Sequence, residues 1–214
     1  MEHFYRGIKG WFNWPEMYER AARLAPKKAT FVEIGCYLGK STACLAVEAI
    51  NSGKDISLAC IDLWEPENKI GCTTDQFMDS LAPVRKKISI QTIRADSVTA
   101  ADLFKEGSVD FVWVDGDHRY PKCLQDIQAW WPKLKEGGWM GGDDLIFPGV
   151  RQALEDFFGP ECSTDQDPRG SWARFQSATC HYGKAASDIR PASGGWVWWT
   201  RTKTKDWTPM GLVK

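Results

Sequence analysis

Between Val109 and Asp144 the chain reads VDFVWVDGDHRYPKCLQDIQAWWPKLKEGGWMGGDD, and no other stretch constrains the fold as tightly. It opens on an apolar run, Val109 to Val114, broken only by Asp110. A carboxylate cluster follows, then an amphipathic helix with Leu124, Ile127, Trp131 and Leu134 on one stripe. Pro132 falls in the last turn, Gly137-Gly138 reads as the helix stop, and a short second strand ends in Asp143 and Asp144. A strand–helix–strand unit of this length is a right-handed parallel crossover. Its strands point the same way, so Asp115 and the Asp143–Asp144 pair converge at one rim of the sheet, where open α/β folds bind ligands. Three acids at one point repel each other unless a cation or a cationic substrate stands between them. One such Asp would be read as a helix cap or a solvated side chain; three at paired strand ends mark a site.

The remainder alternates in the same way. Trp11 to Trp14 is aromatic and reads equally as a staple onto the fold or as a wall over a substrate. Pro15 then opens a helix to about Ala25. Thr30 to Ile34 is a short strand, Gly35 to Gly39 a tight turn, and a helix follows from Lys40 with Ala43, Val47 and Ile50 on one face. The second strand, Ile56 to Ile61, ends at Asp62. A long loop, Leu63 to Thr74, leads to a helix that stops before Pro83. The third strand, Ile88 to Ile93, ends at Ala95-Asp96-Ser97, with Ser97 as the cap of a helix through Leu103 and Phe104. Pro148 opens another helix to Phe158. Beyond Gly159 the chain looks irregular, apart from Trp172 to Ser177 and a strand at Gly195 to Thr200 that puts Trp196 and Trp198 on one face. Five strand–helix units predict a doubly wound, Rossmann-like α/β sheet, mostly parallel, closed by a C-terminal antiparallel strand pair. The 214 residues suit one domain. Residues 1–28 form its N-terminal aromatic segment and helix, 29–158 its binding core, and 159–214 an irregular insert, a closing strand and a tail.

Charge narrows the partners. With 27 basic and 28 acidic residues the net charge is −1, so no polyanion-binding surface is advertised and nucleic acid is not expected. No apolar run has membrane-spanning length, and the N-terminus lacks a signal-peptide stretch. Seven cysteines, an odd number without a CxxC, suit reduced thiols in a cytoplasmic setting.

The turn FVEIGCYLGKST brings a ligand to a helix N-terminus, where free N–H groups favour anions. A dinucleotide fingerprint would put its second glycine at Tyr37, and a Walker loop ending at Gly39-Lys40-Ser41 would be one residue short. Glu33 would repel a pyrophosphate but suits an ammonium group, while Ser41 is placed for a carboxylate. An amino-acid head group carries both charges, as S-adenosylmethionine does. Asp62 is placed to accept both ribose hydroxyls, or else to cap a turn. Trp64 could stack on adenine or simply pack, and Asp96 and Ser97 stand at the adenine edge. Gly35, Tyr37, Gly39 and Asp115 complete the expected cofactor contacts.

EIGCYLGKS resembles the cofactor loop of class I S-adenosylmethionine-dependent O-methyltransferases, and is similar to that of catechol O-methyltransferase. DFVWVDGDHRY with LKEGGWMGGDD resembles the metal segment of the macrocin and novobiocin-type sugar O-methyltransferases; the likeness covers roughly residues 15 to 158. It implies Mg²⁺ on Asp115, Asp143 and Asp144, with Asp117 as general base. Where the catechol enzymes carry a lysine base this chain has His118, and where their third ligand is Asn it has Asp144, which favours a sugar or another aliphatic hydroxyl. The expected reaction is in-line methyl transfer to a small-molecule hydroxyl, sugar or phenol-like, with Asp117 or His118 taking the proton. The competing expectations are a metal-independent methyltransferase using His118, a carboxylate-metal hydrolase, and a non-catalytic cofactor-binding protein. Relatives of this kind often pair as homodimers.

Overall fold

The computed structural model describes residues 1–67, 71–158, 172–174, 180–184, 196–200 and 203. Five strands, β1 (Lys28–Ile34), β2 (Asp55–Asp62), β3 (Ile90–Arg94), β4 (Val109–Val114) and β5 (Leu134–Gly142), form a parallel sheet in the order β3-β2-β1-β4-β5. The helices are α1 (Pro15–Leu24), α2 (Lys40–Asn51), α3 (Thr74–Ser80), α4 (Ser97–Ala101), α5 (Lys122–Trp130) and α6 (Pro148–Phe158). Beyond β5 lie β8 (Trp196–Thr200), β7 (Cys180–Lys184) and β6 (Trp172–Arg174), each antiparallel to its neighbour. The strand β7 escapes sequence reading because Cys-His-Tyr-Gly-Lys shows no apolar alternation. The rest of the expected insert and tail lies outside the described residues.

Alternation along the strands sorts the core into two layers. Phe31, Leu58, Cys60, Phe111 and Trp113 face α1 and α2, with Phe77 of α3 in the same cluster. Val32, Ile34, Ile61, Val112, Val114 and Met140 face α5 and α6, meeting Ile127, Trp130, Leu154 and Phe157. Both faces of the sheet are covered, which is why β4 reads as a nearly unbroken apolar run. Its one acid, Asp110, is buried and accepts from Thr30 N at 2.8 Å and Lys135 Nζ at 2.7 Å.

Three local expectations change. Helix α5 ends at Trp130 instead of continuing to Leu134, since Pro132 offers no N–H and opposes a further turn. The carbonyls freed there accept elsewhere: Pro132 O from Gly107 N at 3.1 Å, and Trp131 O and Leu134 O from Lys203 Nζ at 3.2 and 2.9 Å. The buried stripe is therefore Cys123, Asp126, Ile127 and Trp130. Second, Gly137-Gly138 is not a helix stop but part of a bulge inside β5. The register jumps there from Val109↔Leu134 to Phe111↔Trp139, with Gly137 at φ +82°. Third, the cap of α4 is Asp96, whose carboxylate accepts from Val98 N and Thr99 N, while Ser97 is the first helical residue.

Candidate active site

The strand order reverses between β1 and β4, and at their carboxyl ends the protein opens into a cavity of about 1040 Å³. Ile34 pairs with Val114, so the turns after the two strands meet. Gly35, at φ +81°, makes this contact possible: a Cβ there would stand 1.9 Å from the carbonyl oxygen of Asp115. Gly39, also at φ +81°, is the N-cap of α2 and lies against the Phe77 ring. It shapes the turn and is not part of the cavity wall.

Glu33 does not line the cavity either, which corrects its expected role as an ammonium contact. Only 1% exposed, its carboxylate accepts from the Tyr18 hydroxyl at 2.7 Å and from the Thr42 hydroxyl. Glu33 thus ties α1 and α2 together beneath the turn, and burial raises its proton affinity despite these bonds. Tyr37, Ser41, Asp62, Trp64, Asp96, Ser97 and Asp115 do line the cavity with Gly35. Asp62 Oδ2 accepts from Cys36 N at 2.9 Å and Tyr37 N at 2.8 Å, and its Oδ1 accepts from Trp64 N at 2.9 Å. It therefore clamps two turns together, and few of its lone pairs remain for the expected two-hydroxyl grip. Trp64 donates to Tyr37 O at 3.0 Å and packs on Phe77 at 4.9 Å between centroids, so both its N–H and part of its ring are engaged within the protein. Trp14 is buried and stacks on Trp113 at 5.5 Å, as a staple would, and it also lines the cavity. Trp11, 69% exposed, leans over Tyr37 at the mouth.

On the other side stand the acids of β4 and β5. Val114 pairs with Gly142, and Asp143 N donates to Val114 O at 3.1 Å, so Asp115 and Asp143 leave neighbouring strands together. Burial first, then the charges of Asp143 and Asp144, push the Asp115 carboxyl well above the usual carboxylate range. Burial and Asp144 raise Asp143 to about 7. Burial also raises Asp144, against the pull of His118, and its left-handed φ of 63° is one that Asp tolerates. The three carboxylates are juxtaposed but not gathered. Among the described residues, the groups whose ligand atoms all lie within 4.8 Å of one another are His3–Cys44–Glu48 and Glu33–Cys36–Cys60, not the expected triad.

The two candidate bases differ. Asp117 is held by Arg119, whose Nε approaches its carboxylate oxygens at 2.9 and 3.1 Å, and this pairing lowers its proton affinity. His118 stacks on Phe147 at 4.1 Å and 18°, with Nδ1 3.5 Å from Asp144 Oδ2. Sequence reasoning missed Phe147, and also Asp126, a buried acid of α5 that lines the cavity. Asp126 was findable: with the stripe in its true phase, an acid falls among Cys123, Ile127 and Trp130 on the core-facing side.

A doubly wound sheet with a glycine turn under a helix N-terminus, and acids at the ends of β2, β4 and β5 around one cavity, defines a Rossmann-like α/β fold with a ligand-sized cavity at its switch point. The profile of a family described as a methyltransferase domain matches residues 32–145. The chain belongs to that family. An uncharacterized protein of Sinorhizobium fredii, y4gI, is 27% identical over 115 residues, covering 52% of this chain and 12% of that protein. The chain thus spans a small fraction of that relative's length. Among solved structures, a protein from Corynebacterium glutamicum superposes with a TM-score of 0.57 at 13% identity, covering 92% of this chain and 85% of that one. SMU.1697c from Streptococcus mutans, in complex with SAH, gives a TM-score of 0.57 at 10% identity over 91% of this chain and 100% of its own. An rRNA methylase from Streptococcus thermophilus gives 0.54 at 12% identity, with 91% and 100% covered. At these identities the likeness is one of fold. No helix among the described residues is long and apolar enough to cross a membrane.

Proposed function

We propose that this methyltransferase acts on a hydroxyl of a small molecule, a sugar or phenol-like acceptor, with Mg²⁺ on Asp115, Asp143 and Asp144. The observation that carries this proposal is the placement of three acids at adjoining strand ends, inside the cavity that also reaches the Gly35–Ser41 turn. The donors are all carboxylate oxygens, which suit a hard divalent ion. Their raised proton affinities mark groups that a nearby positive charge would hold ionised. The residues fit the ion in chemistry and in strand placement. Bound there, the ion would supply Lewis acidity toward the acceptor hydroxyl.

The chain's own groups do the rest. Arg119 withdraws Asp117 from proton acceptance and leaves it as an anchor of the loop after β4. His118, oriented by Phe147 and Asp144, is the better placed base. Trp11 and Phe147 offer apolar surface at the mouth for a ring-bearing acceptor. A second reading, metal-free transfer with Asp144 orienting His118, is favoured by the 3.5 Å contact between them.

Turnover on a panel of sugars and phenols, before and after EDTA, tests the two. Loss of activity with EDTA and its return with Mg²⁺ support the metal-assisted reaction, as does inactivity of Asp115→Asn. EDTA-insensitive turnover that disappears in His118→Ala selects the metal-free one.

A further inference from the structure

Away from the cavity, residues 1–10 run antiparallel along α2. The Lys40 ammonium donates to Gly10 O at 2.9 Å near one end of the helix, and Asn51 Nδ2 donates to Met1 O at 3.0 Å at the other. Between these ties α2 carries Cys44 and Glu48, four residues apart and so on one face. His3 lies against them, with Nε2 2.7 Å from Glu48 Oε1. One ring nitrogen, the Cys44 sulfur and a Glu48 carboxylate oxygen all stand within 4.8 Å of one another. None of the three residues lines the cavity. Their depth is graded: Cys44 is fully buried, while the Glu48 and His3 side chains are 16% and 33% exposed. The sulfur is the floor of the cluster and the imidazole its rim, which leaves an approach from solvent. The His3 ring meets Tyr5 edge-on, with centroids 5.4 Å apart, a contact that holds the ring plane without engaging its nitrogens. An ion pair accounts for His3 and Glu48 but gives the buried thiol no part. Burial first, then the charges of Glu48, Glu33 and Glu16, push that thiol far up, a surrounding that a bound cation would relieve.

We propose that His3, Cys44 and Glu48 form a binding site for a borderline divalent ion of the zinc type, with water as the fourth ligand. An imidazole nitrogen, a thiolate and a carboxylate oxygen are the donors such an ion takes, and the thiolate selects against Mg²⁺ and Ca²⁺. Tetrahedral bonds of about 2.0–2.3 Å set ligand atoms roughly 3.3–3.5 Å apart, within the spread the cluster already has. On binding, the Cys44 S–H gives its proton to solvent and the sulfur bonds to the ion, so affinity rises with pH. The ion takes the place of the direct His3–Glu48 hydrogen bond and fastens the N-terminal segment to α2. The acids at the ends of β4 and β5 offer oxygen alone and belong to a different class of site.

Co²⁺ is the probe that tests this, because thiolate coordination gives it a near-ultraviolet sulfur-to-cobalt charge-transfer band. The full chain, stripped with a chelator and kept reduced by a phosphine, is titrated with Co²⁺ and followed by absorbance. The band should saturate at a single equivalent, persist in excess Mg²⁺ and disappear when Zn²⁺ is added. Cys44→Ser should abolish it, and His3→Ala and Glu48→Gln should each weaken Co²⁺ binding by at least about 10-fold. His3 is at the surface, so its variant keeps the test decisive even if the buried Cys44→Ser fails to fold. A wild-type protein without the band overturns the site. So does a band that survives in Cys44→Ser, or an affinity that His3→Ala leaves unchanged.

Discussion

At the scale of single residues, the acids that could be read from the sequence were those whose position follows from strand ends. Asp62, Asp115, Asp143 and Asp144 all reach the cavity because a parallel strand must deliver its last residue to the carboxyl rim. Glu33 was misread for the opposite reason: it sits one residue before the end of β1, where the pleat turns its side chain toward α1 and α2 and into the hydroxyls of Tyr18 and Thr42. Asp126 carries a stability consequence that belongs to this scale. Burial, then the charges of Asp96 and Asp117, raise it to about 6 from an ordinary 3.8, against the Ser97 bond and the charge of Lys122. The folded protein holds this proton more tightly than the unfolded chain. The stability it lends is full below 3.8 and is lost as pH rises through about 6. That displacement corresponds to about 3 kcal/mol at neutral pH. Asp126→Asn should accordingly raise the ligand-free melting temperature at pH 7, with the gain shrinking below about 6 and gone under 3.8. A gain that grows on acidification would contradict the assignment.

At the scale of elements, existence was more legible than limits. All five parallel strands and the helices between them were expected near their observed places. The α5–β5 junction was not, because an apolar stripe that runs on through Pro132 cannot show where proline interrupts it. Helix ends also depend on distant partners that no local pattern reveals. Lys54, just before β2, sends its ammonium to the end of α1, donating to Ala22 O at 2.9 Å, Arg23 O at 2.7 Å and Ala25 O at 2.6 Å. A cation there satisfies carbonyls that the helix leaves open and complements its dipole. Lys54→Met keeps the aliphatic stem and removes the donors, and should lower unfolding free energy by about 1–2 kcal/mol in urea titration. An unchanged midpoint would show that water serves those carbonyls as well.

At the scale of the whole molecule, reversal of strand order decides where chemistry can happen, and β1 and β4 meet so closely there that only Gly35 fits between them. The alternation of strands and helices made that much visible in advance. What alternation could not show was how the turns around the rim hold each other, since those bonds join segments far apart in the chain. The threefold grip of Asp62 on Cys36, Tyr37 and Trp64 is the instance with the widest effect. A ribose that takes this carboxylate swaps bonds instead of adding them, so polar contacts there should release little heat. Affinity would then come from covering apolar lining such as Ile61, Leu63 and Ala95. Its calorimetric mark is a distinctly negative heat-capacity change on nucleoside binding. Temperature-independent binding enthalpy would mean that the clamp stays shut and the sugar lodges elsewhere.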